Sequence, residues 1–156
     1  MLNFLIPGHD NVKIENILID FNGTLAVDGI LHEGIADKLA ELSKIVDITV
    51  VSADTNCTIK EQLKNVPIEV RAFDGKNVSE EKKNILRQLN PVRTAVIGNG
   101  FNDHKMMREA RVAIGVMGEE GIYSSLFSFT DICVSSIHDA LDLFLKPNRI
   151  IATMRK

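Results

Sequence analysis

Apolar residues along this chain fall into short blocks with two alternating periods. "VKIENILIDF" (12–21) closes in an almost unbroken aliphatic run, and "DITVVS" (47–52), "PIEVRAF" (67–73), "RTAVIG" (93–98), "VAIGVM" (112–117) and "DICVSS" (131–136) behave alike. Short Val/Ile-rich runs bounded by polar residues predict strands buried on both faces. Between them the apolar spacing opens to three and four. "EGIADKLAELSKI" (33–45) puts Ile35, Leu39, Leu42 and Ile45 on one helical face, and "TNCTIKEQLKNV" (55–66) does so with Ile59, Leu63 and Val66. "SEEKKNILRQLN" (79–90) reads as a helix capped by Ser79, and "FNDHKMMREA" (101–110) as another. "SIHDALDLFL" (136–145) reads as a helix opened by a Ser136/Asp139 capping box.

This alternation predicts an α/β fold: a doubly wound, mainly parallel, Rossmann-like sheet with helices on both faces. Right-handed crossovers bring the loops after the strands to one edge, where ligands bind. The first dozen residues break the alternation and are expected to add an antiparallel edge strand. With 156 residues the chain suits one domain, 1–156, ending in a basic tail or short helix (146–156) docked on the sheet.

Composition narrows the partners. Net charge is −3, with no basic stripe or zinc-finger spacing, which argues against nucleic acid. No apolar run approaches the length of a membrane span, and "MLNFLIPGHD" lacks the basic start of a signal peptide. Cys57 and Cys133 show no metal-type spacing and read as buried thiols in a reducing compartment. The expectation is a cytoplasmic protein. His9, His32, His104 and His138 form no ligand pattern, Met106 and Met107 read as core, and "GEEG" (118–121) reads as a solvated turn.

The polar residues at the strand ends carry the chemistry. Asp20, Asn22 and Thr24 follow the first long strand, Ser52 and Asp54 the second, and "GNGFND" (98–103) the "TAVIG" strand. Lys82 lies near the start of the helix after "PIEVRAF", where a cation opposes the helix dipole and is better placed facing an anion. Lys83 and Lys76 are alternatives. A carboxylate nucleophile, a hydroxyl, a cation and metal-ligating oxygens are what phosphoryl transfer needs, because its catalysis is mostly positioning and charge neutralisation. "IDFNGTLAVDG" (19–29) also has a plainer reading, since Asn22-Gly23 between apolar runs is a hairpin signal.

These residues resemble the haloacid dehalogenase superfamily over about residues 15–145. "DFNGTL" is similar to its Asp-x-Asp-Gly-Thr-Leu motif, "VVSADT" to its strand-end Ser/Thr motif, and "GNGFND" to its Gly-Asp-Gly-x-Asn-Asp motif; Lys82 stands where its lysine does. Within the superfamily the chain looks most like the phosphorylation domain of P-type ATPases, in a free-standing soluble form. The resemblance implies that Asp20 becomes an aspartyl phosphate, Ser52 binds a phosphoryl oxygen and Lys82 neutralises charge. It implies phosphate binding around Gly23, Thr24, Ala53 and Asp54. Mg²⁺ would be held by Asp20, the Asn22 carbonyl, and Asn99 or Asp103, with Asn102 supporting that loop.

Two departures matter. Asn22 replaces the aspartate that normally moves the proton, help worth roughly 10²–10⁴-fold, so hydrolysis is expected to be slow. Asn99 removes a charge facing the cation, so modest Mg²⁺ affinity is expected. Only 26 residues separate Leu25 from Ser52 and 29 separate Ser52 from Lys82. The first gap suits a short β-flap (about 22–32), and neither suits a cap domain. An open site implies a phosphorylated small molecule or protein as substrate, and a homo-oligomer. Three readings follow: an aspartyl-phosphate enzyme, a faded member that binds phosphate or Mg²⁺ and regulates a partner, and a receiver-like phosphoacceptor. The last is disfavoured because just Glu15 precedes Asp20 in its strand.

Overall fold

The computed structural model describes residues 1–53 and 58–156. In chain order the strands and helices are β1 (Leu2–Phe4), β2 (Val12–Ile14), β3 (Asn16–Asp20), β4 (Ala26–Val27), β5 (Ile30–Leu31), α1 (Ile35–Leu42), β6 (Asp47–Ser52) and α2 (Thr58–Gln62). There follow β7 (Glu69–Ala72), α3 (Val78–Gln88), β8 (Thr94–Gly98), α4 (His104–Glu109), β9 (Val112–Val116), β10 (Ile132–Val134), α5 (Ile137–Leu145) and α6 (Pro147–Met154). Six strands form the main sheet in the order β10-β9-β8-β3-β6-β7, and every pairing is parallel. The doubly wound α/β fold expected from the alternation is the one observed.

The apolar runs work because these strands are covered twice. Ile17, Ile19, Val50, Ala95, Ile97 and Ile114 pack on one face with Ile35, Leu39, Leu141 and Phe144 of α1 and α5. Their neighbours Leu18, Val51, Val96 and Ala113 point the other way, onto Ile85, Leu86, Met106 and Met107 of α3 and α4. Period-two alternation thus persists inside strands that look uniformly hydrophobic. From the outer strand β7 the chain crosses back over β6 and β3 to reach β8. The α3 crossover therefore lies over the sheet centre and carries Lys82 to the end of β3.

Four local expectations need correction. The N-terminal strands pair with each other, antiparallel, in a sheet of their own and do not extend the main one. Ser79 is not a cap: α3 opens at Val78 behind Asn77, whose left-handed backbone (φ 55) makes no side-chain cap bond. Ile45 lies past the end of α1 and is exposed, because the chain turns at Ser43. Cys133 is half-buried on the outer strand β10, with Sγ 3.1 Å from Thr130 Oγ1; Cys57 lies outside the described residues. Ser136 does cap α5, accepting from the Asp139 amide. Among the described residues no helix is long and apolar enough to cross a membrane.

The C-terminal residues form α6, which packs on α5 and β1 rather than on the main sheet. Asp142 of α5 joins it to the rest, accepting from Lys38 Nζ of α1 (2.7 Å), Lys146 Nζ (2.7 Å) and Arg149 Nη1 (3.2 Å). Hydrogen bonds from Lys146 and Lys38 outweigh burial and hold its carboxyl at about 2 against an ordinary 3.8. A depressed pKa contributes stability that is present above the unfolded value and lost as pH falls through the folded one. Asp142→Asn should therefore cost on the order of 1 kcal/mol at neutral pH. In urea denaturation the gap from wild type should close between about pH 4 and pH 2.

Candidate active site

Asp20 ends the central strand. It is paired in register with Val51 of β6, while Ile19 pairs with Ile97 of β8, so Ser52 and Gly98 end the two flanking strands beside it. Beyond Asp20 the chain turns tightly: the Phe21 carbonyl accepts from the Thr24 and Ala26 amides (3.2 and 3.0 Å), and the Gly23 amide donates to the Ala26 carbonyl (2.8 Å). Gly23 has φ +74, and a Cβ there would lie 2.5 Å from Asn99 Nδ2. A larger residue would have both to take this left-handed backbone and to displace the Asn99 side chain. The flap is the β4/β5 hairpin, and its turn is Asp28-Gly29, both with positive φ (51 and 77), as a type I′ turn requires. Asn22-Gly23 is therefore the link between β3 and the flap, not the hairpin turn.

Lys82 reaches this edge fully buried. Its Nζ donates to Asp20 Oδ1 (2.6 Å), Asp103 Oδ1 (2.7 Å) and Asn102 Oδ1 (2.8 Å). Lys83 pairs instead with Glu80, and Lys76 is exposed. Burial alone would push the Lys82 ammonium down, but Asp103 and Asp20 hold it above the ordinary lysine range, so it stays charged. Burial raises Asp20, Asp103 raises it further, and Lys82 opposes both; the carboxyl sits at about 7 against an ordinary 3.8.

Asp103 is locked from the other side. Its Oδ2 accepts from the Asn99 amide (3.0 Å) and the Gly100 amide (2.9 Å). A Cβ at Gly98 would lie 2.4 Å from that oxygen, so glycine is needed where the acid folds back on its own loop. Both Asp103 oxygens thus accept hydrogen bonds. Thr24 Oγ1 lies 3.2 Å from Asn99 Oδ1 and 3.4 Å from Asp20 Oδ2. One hydroxyl hydrogen cannot serve both acceptors. A carboxylate oxygen and an amide oxygen facing the same spot suit a hard divalent cation held by one negative charge. Among the described residues no group of three His, Cys, Asp or Glu is placed to hold a metal.

The remaining expected residues lie at the rim. Asn22 is exposed, with Nδ2 3.4 Å from Ser52 Oγ. Ala53 follows Ser52, half-buried. Asp54 lies outside the described residues. Several participants were not foreseen. Gln62 of α2 grips the turn and second strand of the flap, donating to the Gly29 carbonyl (2.9 Å) and accepting from the Leu31 amide (2.7 Å). Glu120 of the solvated "GEEG" turn accepts from the Asp28 amide (3.1 Å). Phe101 and Tyr123 stand exposed beside the Asn99 loop, and the Tyr123 amide donates to the Asn99 carbonyl (2.8 Å).

The central parallel sheet, with an acid at the end of its middle strand and a hairpin flap after it, has the fold that the resemblance to the haloacid dehalogenase superfamily implied. Solved structures share it. The cobalt-bound deoxy-D-mannose-octulosonate 8-phosphate phosphatase (YrbI) of Haemophilus influenzae superposes with a TM-score of 0.72 at 14% identity, covering 92% of this chain and 94% of that one. The 3-deoxy-D-manno-octulosonate 8-phosphate phosphatase of Moraxella catarrhalis, in complex with magnesium ion, phosphate ion and KDO, gives 0.70 at 17% identity, covering 91% and 94%. At such identities the likeness is one of fold. No family model matches the chain. In sequence it belongs to one family with MJ0073, an uncharacterized protein of Methanocaldococcus jannaschii, being 44% identical over 71 residues, 45% of this chain and 76% of that protein.

The raised Asp20 pKa has a consequence for stability. The folded protein retains a proton that the unfolded chain releases, so this group's contribution is complete below about 3.8 and is lost as pH rises through about 7. Asparagine mimics the neutral carboxyl. In metal-free protein Asp20→Asn should therefore be more stable than wild type above pH 7, with the advantage shrinking towards pH 4. Chemical denaturation in chelator across that range measures it; a variant less stable at high pH than at low, relative to wild type, would contradict the assignment.

Proposed function

We propose that this protein is a Mg²⁺-dependent phosphohydrolase or phosphotransferase that works through an aspartyl phosphate on Asp20. The observation that carries this reading is the fully buried Lys82 shared between Asp20 and Asp103 at the carboxyl edge of the sheet. Burying an ammonium costs several kcal/mol unless it is matched by charge and hydrogen bonds, and here it neutralises the acid that must approach a phosphate.

An Asp20 oxygen attacks phosphorus, the bond to the leaving oxygen breaks, and its electron pair departs on that oxygen. Lys82 and the Ser52 hydroxyl bind the phosphoryl oxygens. The Thr24 hydroxyl sits between the Asp20 and Asn99 oxygens and donates to one of them at a time. Mg²⁺, held by Asp20, Asn99 and the Asn22 carbonyl, would neutralise charge on the transferring group. Water then attacks the acyl phosphate, releasing phosphate and Asp20. Asn22 can neither protonate the leaving oxygen nor take the water's proton, so both steps favour groups that leave as stable anions. Acyl phosphates, aryl phosphates and nucleotides meet that condition; alkyl phosphates do not.

Incubation with Mg²⁺ and acetyl phosphate, p-nitrophenyl phosphate or ATP should give turnover, and a covalent phosphate visible by intact mass. Asp20→Asn should abolish both. Asn22→Asp should raise hydrolysis of alkyl phosphates by about 10²-fold or more. An unchanged rate would refute the proton-transfer account. Asn22 and Asn99, both neutral, favour one second reading: a faded member that binds phosphate or Mg²⁺ and regulates a partner. Absence of turnover and adduct in folded protein selects it.

A further inference from the structure

Phe101 is 59% exposed and Tyr123 44%, although both belong to loops that bound the candidate active site. They form an ordered cluster. The Phe101 ring meets Tyr123 edge-on (centroids 5.3 Å apart, planes at 88°) and lies over His104 at 4.8 Å with planes at 33°. His104 is fixed in turn, its Nδ1 2.6 Å from the Phe101 carbonyl oxygen. Exposed aromatic rings cost free energy in water, and here nothing in the fold requires them. Phe101 precedes Asn102, which touches Lys82, and Tyr123 is bonded to Asn99.

A cavity of about 360 Å³ opens beside this cluster, lined by Phe101, His104, Asn77, Val78 and Ser79, with the Glu80–Lys105 ion pair at its margin. Val78 and Ser79 precede Lys82 by four and three residues, so they share its helical face. In a βα unit the helix start faces the carboxyl edge of the sheet. The cavity therefore lies at the start of the helix that carries Lys82, next to the loop that carries Asn102 and Asp103.

We infer that Phe101, backed by Tyr123 and His104, is the binding platform for a planar aromatic ring carried on the leaving group of the substrate. This rests on the phosphoryl-transfer reading of Asp20 and Lys82 and narrows its substrate class. Two independent features select the same chemistry. Asn22 restricts the leaving group to one that departs without a proton, which aryl oxides and nucleoside diphosphates satisfy. The rim offers a ring face for offset stacking, with the Ser79 hydroxyl and the Asn77 amide at the cavity wall to meet polar substituents.

The test uses ligands that do not turn over. With Mg²⁺ present, phenylphosphonate should bind about tenfold more tightly than methylphosphonate, measured by calorimetry. Tyr123 is the sole tyrosine and the chain has no tryptophan, so intrinsic fluorescence reports on the rim alone and should change with phenylphosphonate but not methylphosphonate. Phe101→Ala should erase the preference, bringing phenylphosphonate affinity down to that of methylphosphonate; Phe101→Trp should restore it. Nucleoside diphosphates tested beside phenylphosphonate separate a nucleotide from a simple aryl ligand, and either binding through Phe101 supports the platform. Equal affinity for the two phosphonates, or equal loss of both in Phe101→Ala, overturns the platform while leaving the phosphoryl site standing. Binding of neither phosphonate defeats the phosphoryl reading and this inference with it. Sedimentation showing that Phe101→Ala dissociates an oligomer would assign the rim to a second copy of the chain instead.

Discussion

One buried ammonium organises this molecule. Lys82 sits fully out of water between two carboxylates and an amide oxygen, and the three partners come from the end of the central strand and from the loop after its neighbour. Its desolvation is offset only while those oxygens converge. That requirement ties α3, β3 and the β8–α4 loop to a common geometry. The two acids are not equivalent. Asp103 is pinned by two backbone amides and by the absence of a side chain at Gly98, so it acts as the fixed counter-ion. Asp20 has one oxygen on Lys82 and another near a shared hydroxyl, which leaves it as the acid free to change its chemistry.

Sheet order makes that convergence possible. With β3 central and β6 and β8 on either side, residues far apart in sequence end at one point of one edge. The lysine comes from farther away, on the helix following the outer strand β7. Crossing back over two strands, that helix must lie above the sheet centre, and the apolar contacts of Ile85 and Leu86 with Leu18, Val51 and Val96 hold it there. Packing of one helix face thus aims a polar group on an adjacent turn at Asp20.

Much of this was readable before any coordinates. The Val/Ile runs and three-four spacing marked nearly every element of the main sheet, and the strand-end polar residues marked its active edge. What escaped were features decided by small energy differences or by remote partners. Asn22-Gly23 and Asp28-Gly29 are equally good turn formers, and the second makes the hairpin because the first is packed against Asn99. Ser79 and Asn77 are equally good caps by side chain, and α3 begins before Ser79, at Val78. Lys76, Lys82 and Lys83 are chemically alike, and only the helical face facing Asp20 separates them.

The sequence by itself determined the class of fold and the inventory of reactive groups, because burial on two faces and the residues allowed at tight turns are local constraints. It also determined that positions 22 and 99 carry amides where acids would be expected. Tertiary structure alone decided which acid is locked and which is free, which oxygens meet at the Thr24 hydroxyl, and which lysine is buried. It also decided that two unremarkable aromatics, Phe101 and Tyr123, stand together at the mouth. Those outcomes depend on distances between segments some 20 to 80 residues apart, and such distances are set by packing rather than by any local pattern.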